Sequence, residues 1–303
     1  MALTERTELW NRRTQRAVYD ITSIGGHPGD IFFVNSSHGD ASDTAGFGKS
    51  PDSPVATIDY AISLCTAGAG DVIYAMPGHV ETIAAAGGLN FDIAGVHLIG
   101  LGAGTIQATL DFTAEASSVT ITAANVTIED MLVTSGAADI TIGFDVSAED
   151  FTFRHNRVRE SANGENFLIV IQDDDAAAAG RMTIEDNLVY QLDASNTHFV
   201  DFGGTGDGHI VRRNVIHGDA GTIMIGGAGV VTMAQVHDNY IYNASAVADS
   251  CINFADTATG VVSNNRSGTL GHADGNDCIV MTLNENYHVN IGDRQGALNP
   301  IAT

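Results

Sequence analysis

Phe151-Thr-Phe-Arg-His-Asn156-Arg-Val158 and Met182-Thr-Ile-Glu-Asp-Asn187-Leu-Val189 are two copies of one pattern: apolar, spacer, apolar, polar residues ending in Asn, then another apolar position. Further copies are Ile210-Val-Arg-Arg-Asn214-Val-Ile216, Val236-His-Asp-Asn239-Tyr-Ile241 and Val262-Ser-Asn-Asn265. From Asn156 to Asn265 the asparagines step by 31, 27, 25 and 26 residues. A unit this short cannot bury its own apolar face and needs stacked neighbours to do so, which points to a solenoid. Within the unit, apolar residues alternate with polar ones, as in Val126-Thr-Ile128, and the types are β-branched or aromatic, so these are strands. A second apolar stretch lies midway between asparagines: Phe144-Asp-Val146, Leu168-Ile-Val-Ile171, Phe199-Val-Asp-Phe202, Ile223-Met-Ile225, Cys251-Ile-Asn-Phe254 and Cys278-Ile-Val-Met281. Several short strands per repeat, separated by Gly, Asp, Asn and Ser, describe one coil of a parallel β-helix.

The recurring Asn has a structural reason. It tolerates the left-handed backbone of a sharp bend, and its amide can bond to its equivalents in the coils above and below, which lie about 4.8 Å away. Asn156, Asn187, Asn214, Asn239 and Asn265 are therefore read as a structural ladder. Weaker copies extend upstream, with Met131 where Asn is expected, then Val96-His-Leu98, then Gly70-Asp-Val-Ile-Tyr-Ala-Met76. The predicted fold is all-β, a single parallel β-helix over 70–290 with roughly eight coils, a rod about 40 Å long. Open ends of such a rod expose strand edges, so caps are expected. Residues 29–69 carry an N-terminal strand and a short capping helix, with Ser53 as N-cap, Pro54 at the first helical position and Gly68 as the stop. Residues 291–303 read as a C-terminal cap or tail.

The chain has 303 residues, with 34 Gly and 5 Pro, as suits one elongated β domain with many turns. No run is apolar enough to span a membrane, and the N-terminus lacks a signal-peptide core, so a soluble protein made in a cytoplasm is expected. The 3 cysteines imply no disulfide framework, and Cys251 and Cys278 are expected to stack as reduced core residues. The net charge of -24 is uneven: residues 1–20 hold four Arg against Glu5, Glu8 and Asp20, a net of +1, which leaves -25 on the rest. An acidic rod repels nucleic acid and anionic lipid, so neither is an expected partner. Residues 1–28 differ in kind, interleaving Trp10, the only tryptophan, with Arg12, Arg13 and Arg16. Trp and Arg are enriched at binding hot spots, so this segment is read as a docking arm.

The stretch from Gly29-Asp-Ile-Phe-Phe-Val-Asn35 through Ser50-Pro-Asp-Ser-Pro54 to Pro77-Gly-His-Val-Glu81 resembles the opening of right-handed parallel β-helix proteins of the pectate-lyase-like superfamily. The version with Ser-Pro-Asp-Ser-Pro and Pro-Gly-His-x-Glu is similar to proteins encoded in tailed-bacteriophage genomes. The resemblance covers about residues 29–290 and implies the handedness of the coil. It leaves function open, because this fold hosts lyases, hydrolases, adhesins and virion parts.

Members of that superfamily that act on polysaccharide use clustered carboxylates, so Asp173, Asp175 and Asp201 are the candidate acids, with Asp207 nearby. Against an enzyme, few Lys or Arg lie near them to bind an anionic polymer, and the repeat lacks long insertions that would wall a groove. Arg212 and Arg213 precede Asn214, and at least one is expected to be solvated or paired with an acid. His198, His209, His217 and His237 share no spacing and are expected to be solvated or bonded within turns. No metal site and no cofactor are assigned. The resemblance leads to a bacteriophage virion protein, a homotrimeric capsid decoration (cement) protein held to the major capsid protein by its arm. The alternative is a tail spike that binds or cleaves host surface polysaccharide through Asp173, Asp175 and Asp201.

Overall fold

Each repeat forms three short strands because its apolar residues alternate over only three to seven positions before a turn-forming cluster intervenes. In one coil Thr127–Glu129, Leu132–Ser135 and Ile140–Val146 follow one another around the axis. The next coil supplies Thr152–Arg154, Arg157–Glu160 and Phe167–Asp173, each parallel to its equivalent below. Repetition builds a first sheet of nine strands and a second and third sheet of eight strands each. The second sheet follows the recurring Asn, and the third contains the midway apolar stretches. The molecule is thus a parallel β-solenoid, with eight strand triplets making about seven turns. This is a computed structural model, and it describes residues 29–162, 164–173, 179–191, 193–245, 250–254, 258–269 and 279–280. The proposed arm (1–28, with Trp10, Arg12, Arg13 and Arg16), the 291–303 tail, Asp175 and Cys278 lie outside the described residues.

The register keeps every inward residue over its equivalent. Phe153 sits opposite Ile128 and Ile184 in the first sheet, and Val158 opposite Val133 and Val189 in the second. In the third, Phe144 sits opposite Val119 and Ile171. A one-residue slip would turn each of these columns to solvent, so the alternation fixes the register. Phenylalanines fill the interior, with Phe112 and Phe167 edge to face at 4.9 Å and Phe144 and Phe153 at 5.0 Å. Each fully buried ring contributes about 2–3 kcal/mol of transfer free energy.

At the N-terminal end Ile31–Val34 pairs in parallel with Val72–Ala75 and becomes the first strand of the nine-stranded sheet. A six-residue helix, α1 (Ile58–Ser63), buries Ile58, Ala61 and Ile62 in the same core. Its start differs from the expected one: Thr57, not Ser53, is the N-cap and accepts a bond from the Tyr60 amide. The reason is tertiary. Asp43 accepts bonds from the amides of Ala56 and Thr57 and from the Thr57 hydroxyl, and Glu81 accepts one from the Ile58 amide. Ser53 instead takes part in a tight bridge with Ser50.

Candidate functional site

The five asparagines are at most 1% exposed. Each backbone amide donates to the side-chain oxygen of the next: Asn156 to Asn187 at 2.9 Å, then Asn187 to Asn214, Asn214 to Asn239 and Asn239 to Asn265, each at 3.0 Å. Every Nδ2 also donates to a main-chain carbonyl, those of Ile128, Phe153, Ile184, Val211 and Val236 in order. The column ends at Met131, whose amide donates to Asn156 Oδ1. These side chains are consumed by coil-to-coil bonding.

The left-handed bend does not fall on the asparagines. It falls on the residue before each one: His155, Asp186, Arg213, Asp238 and Asn264 have φ between 55° and 59°. A second left-handed column precedes the same strands, at Asn125, Asp150, Arg181, Gly208 and Met233. Two bends per coil thus bracket the first sheet, and the buried amide holds the second bend rather than making it.

Charged residues at these bends and on the strands between them alternate in sign from coil to coil. Glu129 pairs with Arg154 and Glu185 with Arg212 and Arg213, while Arg213 also grips Asp186 and Arg181 grips Asp150 and Glu149. Both Arg212 and Arg213 are therefore committed to acids of the preceding coil. Burial would raise the Glu129 and Glu185 carboxyls, but bonds and charges from His97 and Arg154, and from Arg212 and Arg213, outweigh it and hold both below the ordinary range. The hydrogen bond from Arg213 lowers Asp186 in the same way.

The candidate acids do not share one space. Asp173 stacks on Phe202 in the register, is fully buried, and accepts a 2.6 Å bond from the Gly204 amide. Asp201 stacks on Gln172, whose Nε2 donates to it at 3.2 Å, and is on the solvent side of the third sheet. Two carboxyls on opposite faces of a sheet cannot flank one glycosidic bond.

Two of the histidines depart from expectation, His209 by being buried and His198 by being mostly buried. His209 is 1% exposed; its Nδ1 accepts from the Met182 amide at 3.3 Å, and its Nε2 lies 4.0 Å from Asp173. Burial pushes its pKa down to about 4, with Asp207 pulling the other way. His198 is shifted down by burial too, opposed by Asp201. His237 does bond within its turn, to Asp238 at 2.7 Å. Among the described residues, no group of three His, Cys, Asp or Glu converges as metal ligands.

Two features were not anticipated. At the corner between the second and third sheets, Asn166 accepts from the Asp139 amide and Asn243 from the Ala220 amide, a second set of buried side-chain braces. The other is the solvent side of the second sheet. Leu188, Tyr190, Val215, Tyr240 and Tyr242 are exposed there, Tyr190 by 52% and Tyr240 by 48%, and the His217 ring lies among the three tyrosines at 5.9–6.3 Å. Arg157, Arg159 and Arg266 flank them in register. The signal was present: these residues stand one and three places after each ladder Asn.

Comparison with protein-family models, curated proteins and solved structures finds no match. The fold therefore rests on the repeat and on the strand pairing, and the site chemistry on the contacts described above.

Proposed function

We propose that the protein is a structural component of a bacteriophage particle, a homotrimeric capsid decoration protein whose residues 1–28 attach it to the major capsid protein. The observation that carries this reading is that the buried and bend-forming polar residues of the rod bond from coil to coil, and so serve the rod itself. A smooth acidic rod of this kind suits a role in added contacts and surface charge. Bound to neighbouring capsomers, it would stabilise the shell by mass action on the assembled state. The phage assignment itself is supported by the resemblance of residues 29–83 and of the repeat that follows. The tail-spike alternative draws less support, because Asp173 and Asp201 lie on opposite faces of their sheet.

Quantitative mass spectrometry of purified particles tests the proposal. A copy number comparable with that of the major capsid protein is expected, together with loss of shell stability when the protein is removed. A few trimers per particle, with loss of adsorption on removal, would move the protein to the tail. Deleting residues 1–20 is expected to abolish attachment and leave the circular dichroism of the rod unchanged; a truncated protein that still binds particles refutes the arm.

A further inference from the structure

Five of the eight described Lys and Arg side chains are in ion pairs. The other three, Arg157, Arg159 and Arg266, all project from the solvent side of the second sheet. The outward positions of that sheet include one acid, Asp111, which accepts a 2.7 Å bond from Thr134. In a chain of net charge -24, this face is net +2, counting the three arginines against Asp111. Its C-terminal half is the exposed apolar and aromatic row Leu188, Tyr190, Val215, Tyr240 and Tyr242. A contiguous exposed patch of this kind marks an interaction surface. The long edge that follows its strands is acidic, with Asp193 and Asp219, whereas at the edge before them Asp186 and Asp238 are paired with Arg213 and His237.

We propose that this face docks a second copy of the chain, whose acidic edge lies on the arginines of the first. Charge selects the partner and its orientation. Two such faces opposed about a twofold axis with their aromatic rows in contact would set arginine against arginine, whereas an edge laid on a face sets acid against arginine. Such a contact is heterologous, and when its rotation closes it gives a ring. Size agrees with the use of both surfaces. Eight strands spaced about 4.8 Å apart, each about 13 Å long, cover on the order of 500 Å². A stable interface takes about 800 Å² per partner, so the face needs the edge beside it. This assigns the interface of the proposed trimer, but it does not depend on where the protein sits in a particle.

The test is the solution mass of the full chain by sedimentation equilibrium, for the wild type, Tyr190→Ser/Tyr240→Ser, Arg159→Glu and, as a control on the first sheet, Val261→Ser. The wild type is expected at a multiple of 31.6 kDa. The tyrosine pair and Arg159→Glu should each weaken association at least about tenfold, and Val261→Ser should leave it unchanged. Circular dichroism checks that each variant keeps the fold, and Arg159→Glu, a single exposed change, serves if the double variant does not. A wild type that sediments as a 31.6 kDa monomer at tens of micromolar, or folded face variants that keep the wild-type mass, would overturn the proposal. So would a monomer that instead binds an anionic polysaccharide through these tyrosines. Copy number on the particle can fail while this mass result holds, and the reverse, so the two readings are separable.

Discussion

Asn214 shows how much one side chain does in this fold. Its Oδ1 accepts from both the amide and the Nδ2 of Asn187, and its own Nδ2 donates to Ile184 O and Asn239 Oδ1. Replacement by Ala would leave these groups unpaired in a site with no exposure. Each buried unsatisfied group costs about 1–3 kcal/mol, so Asn214→Ala is expected to lose about 3–5 kcal/mol in urea unfolding. A loss under about 1 kcal/mol would mean that water replaces the amide. His209 sets a pH dependence. Its folded pKa of about 4 lies below the ordinary 6.5, chiefly through burial, so the unfolded chain binds the proton more readily. Stability is therefore fully present above pH 6.5 and falls as the pH drops from 6.5 toward 4. The full shift corresponds to about 3 kcal/mol. His209→Gln is expected to flatten that slope in melting curves taken across the window, and an unchanged slope would assign it to other groups.

At the scale of the sheet, the ion pairs of the first sheet form a ladder of alternating sign, but half-exposed arginines limit its worth. Glu185→Gln removes the partner of both Arg212 and Arg213 and is expected to cost under about 1 kcal/mol at low salt, less at high salt, because exposed pairs are screened. A loss of several kcal/mol that salt does not change would show a pair more desolvated than its exposure indicates. Acid should weaken the same ladder: Glu129, Glu185 and Asp186 have lowered pKa values, so their contribution is lost as the pH falls through the folded values. The strands of the first and third sheets were legible because a period of two is a local signal, present in Val126-Thr-Ile128 as in Phe144-Asp-Val146. The bends were not. Asp, His and Asn, the types that best tolerate the left-handed region, fill four of the five positions before a ladder Asn, and Arg213 fills the fifth. The ladder Asn tolerates that region equally, so propensity alone does not say which residue bends. Helix α1 was misplaced by four residues for a related reason, since Asp43 and Glu81 lie far from Thr57 in sequence and fix its first turn. The exposed face was written in the repeat but shows only down the columns: Arg157-Val-Arg159 alone reads as a polar strand, while Leu188-Val-Tyr190 and Tyr240-Ile-Tyr242 above it do not.

At the scale of the molecule, each coil touches only the coils before and after it, so stability should vary along the rod as in any stacked array. Amide hydrogen exchange is expected to be slowest in middle coils, at Phe153 and Ile184, and faster toward the C-terminal end, at Val262. Uniform protection would instead indicate one all-or-none unit. The same stacking fixes how the rod bears force. The pairing bonds of all three sheets lie along the rod axis, so axial tension loads three ladders and the asparagine column together. A sideways push instead meets covalent chain running around each coil. In a molecule built this way a pull at one end is passed to the other through every coil in turn.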